Sequence, residues 1–294
     1  MIERVDVTEV GFAALREIAG RSIAMSGIGS GLHPGDVSHA RVGGLRGYAS
    51  SDVFPVWVSD GVPVAFGVLW PMHPSLDLLI PDTVDDAWFD VIVDEGIAIA
   101  RGDTATATVT VDPGQRRLDL ALSRRGFGPR VDQYMVMERS LEDIPPRREI
   151  GYEIRGATHD DLVGIVEAHR SAFASSWTVD EYATYMTTAP YRPEREIVAV
   201  APDGTIAGFA VIWVDEISRC GYFEPVGVHR DHVRRGVGSA VLIEGMRALR
   251  SEGMDRVSVL YALDSDNAPF YGSVGFAPVG AASVRSHTSE GGTR

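Results

Sequence analysis

The feature that most constrains the fold of this chain is an internal repeat. The segment VWVSDGVPVAFGVLW (56–70) can be laid against VAVAPDGTIAGFAVIW (198–213), each an alternating strand, an Asp-Gly turn and a second strand. From the turn onward no gap is needed: Asp60 and Gly61 match Asp203 and Gly204, Phe66 matches Phe209, and Trp70 matches Trp213. A Gly-Phe step followed by Pro then recurs in RRGFGPR (124–130) and SVGFAPV (273–279), in the same order and at nearly the same offset. Asp-Gly hairpins are common in unrelated chains. Two matches in register imply a tandem duplication.

The length of 294 residues suits two domains, each large enough to bury a core. The stretch LEDIPPRREIG (141–151) interrupts the apolar pattern with a Pro pair and a cluster of charges. This places the boundary near Arg147, giving domains 1–147 and 148–294. Within each half the order is helical segments, a hairpin, another strand, a helix, a strand, a helix and closing strands. That order predicts a mixed α/β fold.

Bulk composition narrows the function. Apolar residues at 45% and charged residues at 23% are ordinary for a globular protein. A net charge of -14 argues against a nucleic-acid partner, whose phosphates need a basic surface, and is compatible with a cationic substrate. MIERVDVTEV has acids where a signal peptide would be basic, and apolar runs such as FAVIWV (209–214) are too short to span a bilayer, so the expectation is a cytoplasmic protein with no membrane partner. The single cysteine, Cys220, cannot form an intrachain disulfide. A monomer and a homodimer are both compatible with the sequence.

The chemistry concentrates in VGVHRDHVRRGVGSAVL (226–242). Upstream, GYFEPVGV (221–228) reads as a strand, and a period of two puts Glu224, Val226 and Val228 on one face. Downstream, Leu242, Met246 and Leu249 form one helical stripe, with Glu244, Arg247 and Arg250 off it. The glycines therefore sit between a strand and the first turn of a helix, where unpaired N–H groups and the helix dipole suit an anion. A P-loop would need a lysine after Gly238, where Ser239 stands, and a dinucleotide fingerprint would need glycine at Val241. What remains is a plain β-to-α connection or a site for a pyrophosphate that is held and not attacked, such as that of coenzyme A.

At this point the sequence resembles the GNAT superfamily of N-acetyltransferases, in the tandem two-domain form, with a layout similar to that of mycothiol synthase. The family's acetyl-CoA signature, Arg or Gln, two residues, Gly, one residue, Gly or Ala, falls on Val233, Arg234, Arg235, Gly236, Val237 and Gly238, with Ser239 following. Val233 departs from the usual Arg or Gln. The resemblance runs over most of 151–280 and includes NAPFYGSVGF (267–276). It implies domains with a mixed, mostly antiparallel sheet flanked by helices, acetyl-CoA as cosubstrate, and direct attack of a primary amine on the thioester. Tyr271 would protonate the departing thiolate, and Asn267, four residues earlier, would hydrogen-bond the pantetheine arm. Backbone groups of Val226 and Val228 would orient the coenzyme, and Glu224 would take the amine's proton or anchor the substrate. SSWTVDEYATYM (175–186), a capped helix with Trp177 and Tyr182 on an apolar stripe, borders the acceptor site in the family, and Asp215 beyond the second hairpin strand would add negative charge there. Acetylation of a cysteinyl amine and a non-catalytic acyl-CoA sensor are the alternatives.

Two features carry bland readings. SGIGSG (26–31) is expected to be a flexible loop, and His229 and His232, without an HExxH or a Cys/His cluster, are not expected to bind metal. The first half has lost the site residues. Carrying the Gly-Phe alignment back, Tyr271 falls on Leu122 and Asn267 on Leu118, and the glycine turn is replaced by IPDTVDD (80–86), which would repel a phosphate. The first domain is therefore expected to be non-catalytic.

Overall fold

The computed structural model describes residues 1–72 and 74–289. In chain order its elements are β1 (Ile2–Val5), α1 (Val7–Val10), α2 (Phe12–Ser26), α3 (Pro34–His39), α4 (Ser50–Val53), β2 (Val56–Ser59), β3 (Val62–Trp70), β4 (Ser75–Leu79), α5 (Asp86–Arg101), β5 (Thr106–Val111), α6 (Arg116–Arg124) and β6 (Val131–Ser140). They continue as β7 (Glu153–Gly156), α7 (Leu162–Phe173), α8 (Val179–Thr187), β8 (Glu196–Val200), β9 (Ile206–Asp215), β10 (Cys220–Val228), α9 (Val237–Ser251), β11 (Arg256–Ala262), α10 (Ala268–Ser273) and β12 (Ala277–Thr288). Two compact units result. Among the described residues the first takes in 1–136, 261–265 and 278–289; the second takes in 137–260 and 266–277.

The units repeat one strand scheme. In the first, β1, β2, β3 and β4 are antiparallel neighbours in turn and β4 runs parallel to β5. In the second, β7, β8, β9 and β10 are antiparallel in turn and β10 runs parallel to β11. Helices fall at matching places, between the first and second strands, between the fourth and fifth, and after the fifth. This is the mixed, mostly antiparallel α/β arrangement expected for each half.

Local chemistry explains where the copies agree and differ. Asp60 and Gly61 both take positive φ, 51° and 77°, the geometry of a two-residue hairpin turn. In the second copy only Gly204 does so, and a longer loop is closed by Ala201 N–H donating to Thr205 O at 2.8 Å and Thr205 N–H to Asp203 Oδ1 at 3.0 Å. The Gly-Phe steps coincide bond for bond. Phe127 N–H donates to Leu122 O at 3.1 Å, and Phe276 N–H to Tyr271 O at 3.1 Å. Leu122 thus stands structurally where Tyr271 stands.

In the first unit the core forms on both faces of the sheet: Phe89, Ile92, Leu118 and Leu122 pack on one, and Leu15, Ala19, Phe54 and Phe66 on the other. In the second, Leu242, Met246 and Leu249 are fully buried, as their spacing requires. Gly245 lets α9 lie close to the sheet, since a Cβ there would come within 2.5 Å of Phe223. The SGIGSG segment is a loop, but it is pinned by Gly114 N–H donating to Gly29 O at 2.7 Å. Among the described residues no helix is long and apolar enough to cross a membrane.

Candidate active site

The second unit's sheet opens beside β10. Its parallel pairing with β11 covers only Cys220–Phe223 against Arg256–Val259, so the remainder of β10 is held from the β9 side alone. Along β9 the register jumps between Phe223, opposite Ile212, and Val226, opposite Ala210. Glu224 and Pro225 thus oppose the single residue Val211, which is a β-bulge. Ile212 and Ala210 share a face, so Phe223, not Glu224, lies on the face of Val226 and Val228. This corrects the expectation from simple alternation: the extra residue re-aims Glu224. The bulge is tied by Trp213, whose Nε1–H donates to the Glu224 carbonyl at 2.7 Å. In the repeat, Trp70 Nε1–H donates instead to the Asp77 carboxylate at 2.7 Å.

Beyond β10 a single helical turn, Arg230–His232, leads to the glycines. Arg234 has φ 59° and Gly236 φ 82°, left-handed conformations that turn the chain sharply into α9. Gly236 is the N-cap residue, no side chain caps the helix, and its first turn contains no acid. Val233, Arg234, Arg235 and Gly236 are exposed, Val237 and Gly238 are buried and Ser239 is half-buried. Neither Arg234 nor Arg235 makes a hydrogen bond or ion pair with the described residues. Open N–H groups, the positive end of a 15-residue helix and two guanidinium groups without a partner among the described residues are an arrangement suited to an anion. The neighbouring imidazoles are otherwise engaged: His229 Nδ1 accepts from Asp231 N–H at 3.3 Å, and His232 Nδ1 lies 2.9 Å from the Tyr152 hydroxyl. Among the described residues no group of His, Cys, Asp and Glu is arranged to hold a metal ion.

Tyr271 lies on α10, buried against Phe270 and Phe276, whose ring centroids are 4.9 and 5.9 Å away. Burial first, and the charge of Glu224 second, push its phenol above the ordinary value. The same carboxylate acts on Tyr185, which burial and the charges of Glu196 and Glu224 raise well above the ordinary value. Glu224 therefore lies within electrostatic reach of both tyrosines. Asn267 is exposed at the N-cap position of α10, where its side chain makes no capping bond and its carbonyl accepts from Tyr271 N–H at 3.1 Å. Phe270 packs on the Cα of Gly238, where a Cβ would sit 3.0 Å from its ring.

The aromatic helix α8 is built as expected, with Thr178 and Glu181 forming a capping box. Trp177 and Tyr182 are buried, their ring centroids 5.1 Å apart. The Tyr182 hydroxyl donates to Glu196 at 2.9 Å, Tyr191 donates to the same carboxylate, and His169 Nε2 stands 3.1 Å from the Tyr182 oxygen. His169 stacks on Phe209 at 3.9 Å and 15°. Asp215 is spent on the β9–β10 turn, accepting from the backbone N–H groups of Ile217 and Ser218 at 3.3 and 3.1 Å and from the Ser218 hydroxyl. Glu196, His169 and Tyr191 were not singled out from the sequence. The available signal was one acid opening the otherwise apolar strand EIVAV. The Tyr185 hydroxyl is buried with no hydrogen-bond partner among the described residues.

The first unit closes its equivalent of the anion site. Helix α5 is capped by Asp85, whose carboxylate accepts from Trp88 N–H at 3.0 Å, with Asp86 in the first turn. The N–H groups left open in α9 are here answered by the chain's own charge.

Comparisons with known proteins agree with this geometry. Residues 162–276 match the model of the acetyltransferase (GNAT) family. No curated protein matches the sequence. Among solved structures, the chain is similar to a GCN5-related N-acetyltransferase from Sphaerobacter thermophilus, at 18% identity and TM-score 0.63 over 98% of this chain and 95% of that one. It is similar to a tandem GNAT protein from the clavulanic acid biosynthesis pathway, at 15% identity and TM-score 0.60 over 98% of each chain. It is also similar to Saccharomyces cerevisiae N-myristoyltransferase with bound myristoyl-CoA, at 11% identity and TM-score 0.59 over 98% of this chain and 79% of that one. At these identities the likeness is one of fold.

Proposed function

We propose that the second unit is an N-acetyltransferase that moves an acetyl group from acetyl-CoA to a primary amine, and that the first unit is non-catalytic. The observation that carries this reading is a conjunction in one unit. An uncapped, acid-free helix N-terminus with two unpaired arginines follows a strand whose bulge brings Glu224 within electrostatic reach of Tyr271. The acyl-CoA ligand of a structural neighbour supports the cosubstrate class.

In this reading Arg234, Arg235 and the N–H groups of Val237, Gly238 and Ser239 hold the pyrophosphate, with Val233 at the rim. Backbone groups of Val226 and Val228, on the side of β10 that β11 leaves, orient the pantetheine arm and the thioester carbonyl. Asn267 offers its side-chain amide to the same arm. Glu224 takes a proton from the substrate ammonium, and the free amine attacks the carbonyl carbon. As the C–S bond breaks, Tyr271 gives its proton to the sulfur, and its phenolate takes back the second proton that the former amine nitrogen sheds to become the amide. Cys220 has no part, because burial pushes its thiol up to about 12 and the nucleophilic thiolate is not formed.

Calorimetric titration of acetyl-CoA into the wild type, Gly236→Asp and Asp82→Ala tests the reading. One site, lost only in Gly236→Asp, supports it and justifies an amine screen. No binding to the wild type removes it.

A further inference from the structure

We propose that the first unit carries a second ligand site, for a small arylalkyl ammonium ion, in a cavity at its own end of the repeat. The cavity measures about 350 Å³ and is bounded by α2, the start of β3, the segment 81–85 and the first turn of α5. It occupies the place that the glycine turn holds in the second unit, yet its chemistry is opposite. The volume sits at the small end of ligand pockets, enough for one ring and a short chain.

Charge selects the sign of the ligand. Asp82 stands exposed at the rim and makes no hydrogen bond or ion pair with the described residues, while Asp85 is bound only by Trp88 N–H. The lining arginine, Arg21, is engaged by Glu17, one turn earlier on α2. The cavity therefore presents uncompensated negative charge, and the N–H group through which α5 would attract an anion is taken by Asp85. An anion is disfavoured and a cation is favoured.

The remaining lining selects the body. Trp88, half-buried and lining the same cavity as the two carboxylates, and the apolar side chains of Ile18, Val64 and Met25 offer a surface for an aromatic group. Met25 is 67% exposed, so its side chain is open to a ring bound in the cavity. Trp88 also adds cation–π attraction for an ammonium near its face.

The test is calorimetric titration of the whole chain at low salt with three probes of one shape: phenethylammonium, 2-phenylethanol and phenylacetate. Phenethylammonium is expected to bind at one site, and phenylacetate not to bind. In the double variant Asp82→Asn/Asp85→Asn its affinity should fall about tenfold, since the charges go while Asn at 85 keeps the helix cap. In Glu224→Gln it should be unchanged, which separates this cavity from an amine site in the second unit. The proposal is overturned if the alcohol binds as tightly as the ammonium, if phenylacetate binds, if the double variant binds as wild type, if affinity is lost in Glu224→Gln instead, or if nothing binds at millimolar concentration.

Discussion

Burial first and the charge of Glu224 second raise the Tyr271 phenol, which favours the protonated form that the proposed acid role requires. Its conversion to Phe should leave acetyl-CoA binding intact and lower kcat by about 10²–10⁴-fold, the usual contribution of a positioned acid; thiol release at saturating substrate measures it. Tyr185 makes the opposite prediction. Its hydroxyl is buried without a partner, an arrangement that costs about 1–3 kcal/mol. Tyr185→Phe should therefore raise the stability of the protein in a urea titration. Loss of stability would show that the hydroxyl is satisfied in solution.

At the scale of the element, α5 and α9 make a natural comparison. Both follow the fourth strand of a unit, and they differ in what sits at the N-cap: Asp85 in one, Gly236 in the other. Gly236→Asp puts a residue at φ 82° where only glycine is unstrained and supplies the carboxylate that occupies α5. Acetyl-CoA affinity should drop by at least about tenfold, through lost N–H groups and added charge. The packing of α9 on β10 gives a stability test. A methyl at Gly245 would crowd Phe223 at 2.5 Å and Ile212 at 3.2 Å, so Gly245→Ala should cost about 1–3 kcal/mol of stability, read as a lowered Tm.

At the scale of the whole molecule, the duplication predicts one acetyl-CoA per chain, not two, because only one of the paired helix ends is open. The first unit also carries a loss of stability between the ordinary carboxylate range and about pH 8. Burial, with the charges of Asp77 and Asp36, pushes the Asp112 carboxyl up to about 8 against the opposing influence of Arg130. The folded state keeps that proton where the unfolded chain has lost it, so stability is full below the ordinary carboxylate range and declines as pH rises toward about 8. Asp112→Asn should flatten that decline in Tm measured across the same window. An equally steep decline in the variant would assign it to other groups.

The sequence by itself determined the duplication, the strand and helix order of each half and the glycine-led, acid-free start of α9. Those are local signals: alternation, the 3.6-residue stripe of α9, and glycine where φ must be positive. It also located the loss of Tyr271 at Leu122, which the matching backbone bonds around both residues uphold. Only the tertiary structure decided what depends on register and on meetings across the chain. A bulge at Glu224 and Pro225 shifts the face of Glu224, and only the pairing with β9 shows where the phase of the alternation turns over. Glu196, at the start of β8, meets Tyr182 of α8 and Tyr191 of the segment that follows α8, so a lone acid in an apolar strand finds partners that spacing cannot reveal. The last strand joins the first unit, beside β5, since pairing is settled by edges that meet in space rather than by order along the chain.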